Sequence, residues 1–184
     1  QRTTGKTFVF VTHDQEEAMS MSDLIAVMRA GRVEQLDRPE VIYERPVSRY
    51  VAGFVGAANL LDATVESVDG DEIRIVSGAF SAVLPRSSVT SPGSIDRGTN
   101  VTLLVRPEHL RSSAQDGHTL ELGGRITELT YLGNRVHVRF QTDDGRSLLA
   151  DALAGDVAEI GERFTAHLRP GALALLRTSA EEQS

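Results

Sequence analysis

The sequence of 184 residues contains no cysteine and no tryptophan, and only 5% of its residues are aromatic. The absence of cysteine excludes disulfide bonds, thiolate zinc sites and a cysteine nucleophile, and it is typical of a protein from a reducing compartment. The scarcity of aromatic side chains argues against a surface on which the bases of single-stranded nucleic acid stack.

Basic residues are also outnumbered, since 19 lysines and arginines stand against 26 aspartates and glutamates, for a formal net charge of -7. Nucleic acids and anionic membranes attract basic surfaces, so this balance disfavours both as partners. No apolar run approaches the roughly 18 residues that a membrane-spanning helix needs. The composition therefore indicates a globular protein of one domain or two small ones.

The first residues have the pattern of an α/β fold. Residues 7–11 are β-branched or aromatic, which predicts a strand buried on both faces of a parallel sheet. Thr12 or Asp14 can cap the helix that follows. His13 is therefore expected at the carboxyl edge of the sheet, where such folds bind ligands and helix amides favour anions. On geometry alone, a histidine that bonds only to its local backbone is the simpler interpretation.

The next segments predict a hairpin and two short helices. Their bounds are strands over 23–28 and 32–36 with a turn at Ala30 and Gly31, a helix from Pro39 to Tyr43, and a helix from Arg49 to Phe54 that Ser48 caps and Gly56 ends.

After Asn59 the hydrophobic pattern changes to short segments with frequent alternation. They are residues 63–68, 72–76, 80–84, 101–105, 125–132, 136–140 and 148–150. Such spacing predicts a small barrel or sandwich. Residues 63–75 and 124–140 share a strand, turn and strand plan, which favours two similar hairpins over a true duplication.

The segment Phe8–Met19, with His13 at its centre, resembles the switch-histidine motif of ATP-binding-cassette (ABC) transporter ATPases. The similarity continues to Pro46 in the pattern with which the importer branch of that family leaves its nucleotide-binding domain. Further motifs resemble the regulatory β-barrel, of TOBE or OB-like type, found in polyamine, iron, sugar and sulfate importers. These motifs are Phe54–Gly56, Asn59–Leu61, Val105–Glu108 and Tyr131–Gly133.

The resemblance implies an α/β remnant of the nucleotide-binding domain over residues 1–56, followed by an all-β, OB-like (TOBE) barrel over residues 57–184. By the same resemblance His13 is the switch histidine that contacts the γ-phosphate of ATP, and it is the only catalytic position carried over. The parent protein is expected to be an ATPase with ATP and magnesium as cofactors. The phosphate loop, the magnesium-binding aspartate and the signature loop lie upstream in the family and are not found in this sequence. The chain alone is therefore expected to be inactive and to hold no cofactor.

The resemblance also implies partners and a location. The expected partners are a second copy through the regulatory domain, the transmembrane permease subunits and, indirectly, an external solute-binding protein. The expected place is the cytoplasmic face of the cell membrane. Polyamine or ferric iron is favoured over sugar as the transported solute.

Two other classes of function are considered. The first is a stand-alone OB-like module that binds a small oxyanion, for which the polar loop with Ser87, Ser88, Ser91 and Ser94 is the candidate. The second is an oligonucleotide-binding barrel, which the negative charge and few aromatic residues disfavour.

Several polar groups have simpler structural interpretations. Residues 5–7 mimic the end of a phosphate loop, but a strand-like run follows, so an ordinary turn is predicted. The possible metal ligands Glu108, His109, Asp116 and His118 have the spacing of a solvated loop. Residues 143–145 resemble half a calcium loop and are predicted to be a hairpin turn. Residues 106–108 either pair across a subunit contact or form a surface ion pair.

Overall fold

The structure is a computed structural model that describes residues 5–78, 80–113, 120–168 and 170–178. In this part of the chain, three short α-helices and one hairpin come first, and nine strands follow from Asn59 onward. Among the described helices, none has the length and apolar character required to cross a membrane.

The N-terminal segment, residues 5–56, packs around a small apolar core. Its elements are α1 (Gln15–Met21), β1 (Ile25–Arg29), β2 (Arg32–Asp37), α2 (Pro39–Glu44) and α3 (Arg49–Phe54). The turn between β1 and β2 places Ala30 and Gly31 at φ angles of 47° and 77°, as a tight hairpin turn requires. The predicted hairpin and both predicted helices are present, and Ser48 caps α3 by accepting a hydrogen bond from the Val51 amide at 3.3 Å.

The strand predicted for residues 7–11 is not formed. Residues 6–12 have no regular secondary structure, and the side chains of Val9 and Val11 are 92% and 91% exposed. A parallel strand is held by hydrogen bonds and packing from its neighbours, and no described strand pairs with this segment. The residue types permitted a strand, but the sheet that would hold it is missing from the described residues.

The nine later strands form two antiparallel sheets, which we call the barrel. They are β3 (Asn59–Asp69), β4 (Glu72–Ser77), β5 (Phe80–Pro85), β6 (Asn100–Val105), β7 (Leu120–Tyr131), β8 (Arg135–Thr142), β9 (Ser147–Leu153), β10 (Arg163–Leu168) and β11 (Leu173–Arg177). The order is β11-β6-β3-β4-β5 in one sheet and β10-β7-β8-β9 in the other. The sequence pattern does not predict β10 or β11.

One hydrophobic core lies between the two sheets. Ile73 and Ile75 of β4 and Val138 and Phe140 of β8 are fully buried, and the residues between them are more exposed. The Phe140 ring lies 5.1 Å from the ring of Phe164 in β10. The predicted fold class, an α/β segment followed by an all-β barrel, is confirmed.

The two sheets share a four-strand unit. Strands β3–β6 and β7–β10 pair in the same order, and the first strand of each unit has a bulge, after Val65 and after Ile126. Val65 exchanges backbone hydrogen bonds with residues 98–99, and Ile126 exchanges the same pair with residues 161–162. The prediction of two similar hairpins therefore covers only part of the similarity. The two units share four strands and a loop, as a duplicated unit does.

Candidate functional site

His13 lies two residues before the first residue of α1 and is exposed. The next residue, Asp14, caps this helix, because its Oδ1 accepts hydrogen bonds from the amides of Glu16 at 2.9 Å and Glu17 at 3.1 Å. These are the helix amides that were expected to favour a phosphate, and the Asp14 carboxylate occupies them. The imidazole of His13 is exposed beside this capped turn and can donate a hydrogen bond to a phosphate.

Gln15 and Met19 connect helix α1 to the rest of the N-terminal segment. The Gln15 side chain accepts a hydrogen bond through Oε1 from the amide of Gly56 at 2.9 Å. Met19 packs against the apolar cluster that includes Val27 and Ile42. The helix has only seven residues and buries none of them, so these contacts determine where it lies.

Arg106, which follows β6 of the barrel, is buried against the N-terminal segment and is only 3% exposed. Its Nη1 donates to the carbonyl oxygens of Ala52 at 3.1 Å, Val55 at 2.9 Å and Ala57 at 3.1 Å. Its Nη2 donates to the carbonyl oxygen of Tyr43 at 2.8 Å. These carbonyls lie at and beyond the C-terminal ends of α2 and α3, where a positive charge complements the helix dipole.

Tyr43 and Glu108 complete this group, which we call the joint cluster. The Arg106 guanidinium carbon lies 4.1 Å from the centre of the Tyr43 ring, and the Tyr43 hydroxyl donates to Glu108 Oε1 at 2.6 Å. Burial and the hydrogen bond to the Glu108 carboxylate raise the pKa of Tyr43 to about 12. Burial lowers the pKa of Arg106 from its ordinary value. Both predictions for residues 106–108 are wrong, because these residues bind the N-terminal segment of the same chain.

A second polar region is a cleft of about 600 Å³ beside α3, β3, β4 and β6. Within it Arg49 pairs with Asp62 and donates to the Thr102 hydroxyl at 3.2 Å. At its edge Arg146 donates to the Ser77 hydroxyl at 2.8 Å and pairs with Asp144. The Arg146 and Thr142 hydrogen bonds hold the pKa of Asp144 well below its usual range. Each of the two arginines already has an aspartate partner.

The four serines of the candidate oxyanion loop differ in exposure. Ser88 and Ser91 are 8% and 9% exposed, and the Ser91 hydroxyl accepts a hydrogen bond from the amide of Arg177 at 2.6 Å. Ser94 is exposed. Ser88 and Ser91 are therefore enclosed by the fold.

The remaining weak candidates have structural roles where they are described. Gly5 lies in a turn with a φ angle of 63° and no helix follows directly, which confirms the turn predicted for residues 5–7. Residues 143–145 connect β8 to β9 as the predicted hairpin turn, with Gly145 at a φ angle of 87°. Asp116 and His118 lie outside the described residues. Among those described, no three acidic or histidine side chains are placed to hold a metal ion.

The sequence pattern singled out residues 106–108 and included Tyr43 and Gln15 in predicted segments, but it did not predict the contacts of these two residues. The hydrogen bonds of Tyr43 to Glu108 and of Gln15 to Gly56 had no local signal, because each joins residues far apart in the sequence. The pattern that predicted helices at 39–43 and 49–54 placed their C-terminal carbonyls correctly, but it did not show which side chain would satisfy them.

Comparison with known proteins shows which class of protein the chain is similar to. Residues 103–176 match the family model of the TOBE domain. Over most of its length, the chain is homologous to ATP-binding proteins of ABC importers.

The particular proteins it resembles are spermidine/putrescine import ATP-binding proteins, named PotA. The protein of Pseudomonas aeruginosa strain UCBPP-PA14 is 42% identical over 181 residues, which cover 90% of this chain and 48% of that protein. The protein of Frankia alni is 43% identical, over 89% of this chain and 38% of that protein. The protein of Thermobifida fusca is 39% identical, over 92% of this chain and 44% of that protein. The chain thus spans about half the length, or less, of these relatives.

Among solved structures, the cytoplasmic molybdate-binding protein ModG with molybdate bound resembles the chain with a TM-score of 0.56. The match covers 67% of this chain and 99% of that chain at 17% sequence identity. At this identity the likeness supports the OB-like barrel fold alone.

Proposed function

We propose that this chain is the C-terminal part of the ATP-binding subunit of an ABC importer, which couples ATP hydrolysis to solute uptake. The observation that carries this proposal is the 42% identity, over 90% of the chain, to a spermidine/putrescine import ATP-binding protein. The same similarity favours a polyamine over ferric iron or sugar as the solute. Residues 1–56 are the end of the nucleotide-binding domain, and residues 57–184 are the regulatory barrel.

In this proposal His13 donates a hydrogen bond from its imidazole to the γ-phosphate of ATP. Its exposure at the start of α1 supports this role, because the imidazole has no hydrogen bond within the described residues. The remaining groups that hold ATP and magnesium belong to the upstream part of the subunit. The chain by itself therefore neither binds ATP with the affinity of the whole subunit nor hydrolyses it.

The proposed subunit works on the cytoplasmic face of the membrane. Its partners are the permease subunits and, through them, an external solute-binding protein. A second copy of the chain pairs with it through the barrel.

The substitution His13→Ala in the full-length subunit tests the proposal. Loss of a single donor to a developing negative charge lowers kcat on the order of a hundredfold or more, while most binding contacts to the nucleotide remain. We therefore expect spermidine uptake to be abolished and ATP hydrolysis to fall by that factor, with ATP affinity nearly unchanged.

The matched control is His137→Ala, which removes an imidazole from β8 of the barrel. It should retain near-normal hydrolysis and uptake. Near-normal turnover of the His13→Ala subunit would contradict the role of His13. Uptake of ferric iron or maltose instead of spermidine would contradict the proposal that the solute is a polyamine.

A further inference from the structure

A continuous route of hydrogen bonds joins the barrel to the start of α1. Arg106 donates to the carbonyl oxygens of Val55 and Ala57, on either side of Gly56, at 2.9 and 3.1 Å. The Gly56 amide donates in turn to Gln15 Oε1 at 2.9 Å. Gln15 is two residues beyond His13 in the sequence.

The middle of this route has little freedom to move. Gly56 has a φ angle of 69°, a conformation that residues with a side chain rarely adopt. A Cβ atom there would lie only 2.9 Å from the Tyr43 ring. The same ring lies against the Arg106 guanidinium. Residues 55–57 are therefore held by an aromatic ring and by a buried cation.

Helix α1, at the end of this route, depends on contacts with other elements for its stability. A seven-residue helix with no buried residue is not stable by itself in water. Gln15 and Met19 provide the contacts that position α1. Through Gly56 and Gln15, Arg106 is linked to the first turn of α1.

We propose that Gln15 and Arg106 are positioning residues for His13, through which the barrel holds the switch histidine in place. This inference rests on the proposed function. Misplacement of a reacting group by about 1 Å can cost on the order of a hundredfold in rate. The route thus gives the barrel control over hydrolysis without any contact between the barrel and ATP.

Hydrogen exchange on the 184-residue chain tests the route without reference to ATP. Gln15→Ala removes the acceptor for Gly56, and Arg106→Lys keeps the charge but loses the planar group that binds several carbonyls. We expect each to lower the protection of the amides of residues 18–21 on the order of fivefold, as the loss of one hydrogen bond predicts. The double variant should lose no more than the stronger single variant, because both act on one route.

The control variant is Arg74→Ala, which removes an exposed arginine whose Nε lies 3.8 Å from Glu66. It should leave the protection of α1 unchanged. A loss of protection that is equal in α1 and in β8 would overturn the proposal, since it would mean general destabilisation. Unchanged protection of α1 in Gln15→Ala and Arg106→Lys would overturn it as well.

Hydrolysis by the full-length subunit then tests the positioning role. We expect Gln15→Ala to lower kcat about tenfold with KM for ATP unchanged. Gln15→Glu should restore turnover, because it again presents an oxygen to the Gly56 amide. In a His13→Ala background, Gln15→Ala should have no further effect.

The two proposals fail in different ways. Normal turnover of Gln15→Ala beside an impaired His13→Ala overturns the positioning role alone. A further loss from Gln15→Ala in the His13→Ala background also overturns it. Near-normal turnover of His13→Ala overturns the proposed function itself.

Discussion

At the scale of single residues, the side chain of Asn59 forms hydrogen bonds to both sheets of the barrel. Its side chain is buried, and Nδ2 donates to the carbonyl oxygens of Val105 at 3.1 Å and Leu149 at 2.8 Å. Its Oδ1 accepts a hydrogen bond from the Leu149 amide at 2.7 Å. Val105 belongs to β6 and Leu149 to β9, so this one amide group satisfies backbone groups of both sheets.

We expect Asn59→Ala to lower the free energy of unfolding by about 3 kcal/mol, since each buried partner left unsatisfied costs about 1–3 kcal/mol. Urea denaturation measures this as a lower midpoint with an unchanged slope. The control is Asn100→Ala, which removes an exposed amide with one weak bond of 3.4 Å to Thr64. It should change stability by less than about 0.5 kcal/mol. Equal losses in the two variants would contradict the role of Asn59.

Because of Tyr43, we expect the stability of the fold to fall as the pH becomes strongly alkaline. Its ordinary pKa is 10.0, and in the fold it is about 12 because of burial and the Glu108 carboxylate. The fold therefore favours the protonated phenol. This contribution is complete below pH 10 and is lost as the pH rises toward 12.

We expect Tyr43→Phe to lose less stability than the wild-type chain between pH 9 and about pH 12, measured by thermal unfolding across this range. Ultraviolet titration of the variant should also lack the phenolate that ionises near pH 12. Tyr131→Phe is the matched control, because Tyr131 is 65% exposed. An alkaline loss of stability in Tyr43→Phe as large as in the wild type would refute this account.

At the scale of secondary structure, β7 has a close contact with β8 at Gly124. A Cβ atom on Gly124 would lie 2.7 Å from the carbonyl carbon of Gln141 and 2.9 Å from the Phe140 ring. The adjacent Gly123 is different, because the nearest atom to its Cβ would be the Arg163 Nη2 at 3.2 Å, the end of a flexible side chain. Two neighbouring glycines of one strand thus differ in what an added methyl group would meet.

We expect Gly124→Ala to destabilise the barrel by about 2–3 kcal/mol or more, because backbone and a buried ring must move. Calorimetry should show this as a fall in Tm of roughly 5–10 °C. Gly123→Ala should change Tm by no more than about 2 °C, since Arg163 can move into solvent. Similar effects of the two substitutions would show that the spacing between β7 and β8 is not the cause.

At the scale of the whole molecule, two features favour association of two copies. The segment 8–11 exposes apolar side chains and backbone groups that no described strand pairs with. Separately, we propose that the regulatory barrel pairs with a second copy across a two-fold axis. The first cause requires the N-terminal residues, whereas the second does not.

We expect light scattering to give about twice the chain mass of 19.9 kDa. A chain lacking residues 1–22 should remain a dimer if the barrel forms the contact, and this is the result that we expect. Dissociation of the shortened chain would assign the contact to the N-terminal segment. A monomer of the full chain would refute dimerisation.

The sequence by itself determined the elements whose signals are local. The turn at Ala30 and Gly31, the Ser48 cap and the alternation in β4 and β8 each depend on residues within one or two turns of chain. For the same reason seven of the nine barrel strands were predicted. His13 was identified from the residues around it, and its role stays a prediction.

Only the tertiary structure decided the features that join distant parts of the chain. Residues 7–11 have the composition of a buried strand, yet they are exposed, because a strand depends on partners that its own residues do not specify. Strand β11 was missed because its first four residues are all buried and show no alternation. The joint cluster unites Tyr43 with Arg106 and Glu108, which are more than 60 residues further along the chain. No spacing rule predicts such a contact, because it forms only when the barrel packs against the ends of α2 and α3.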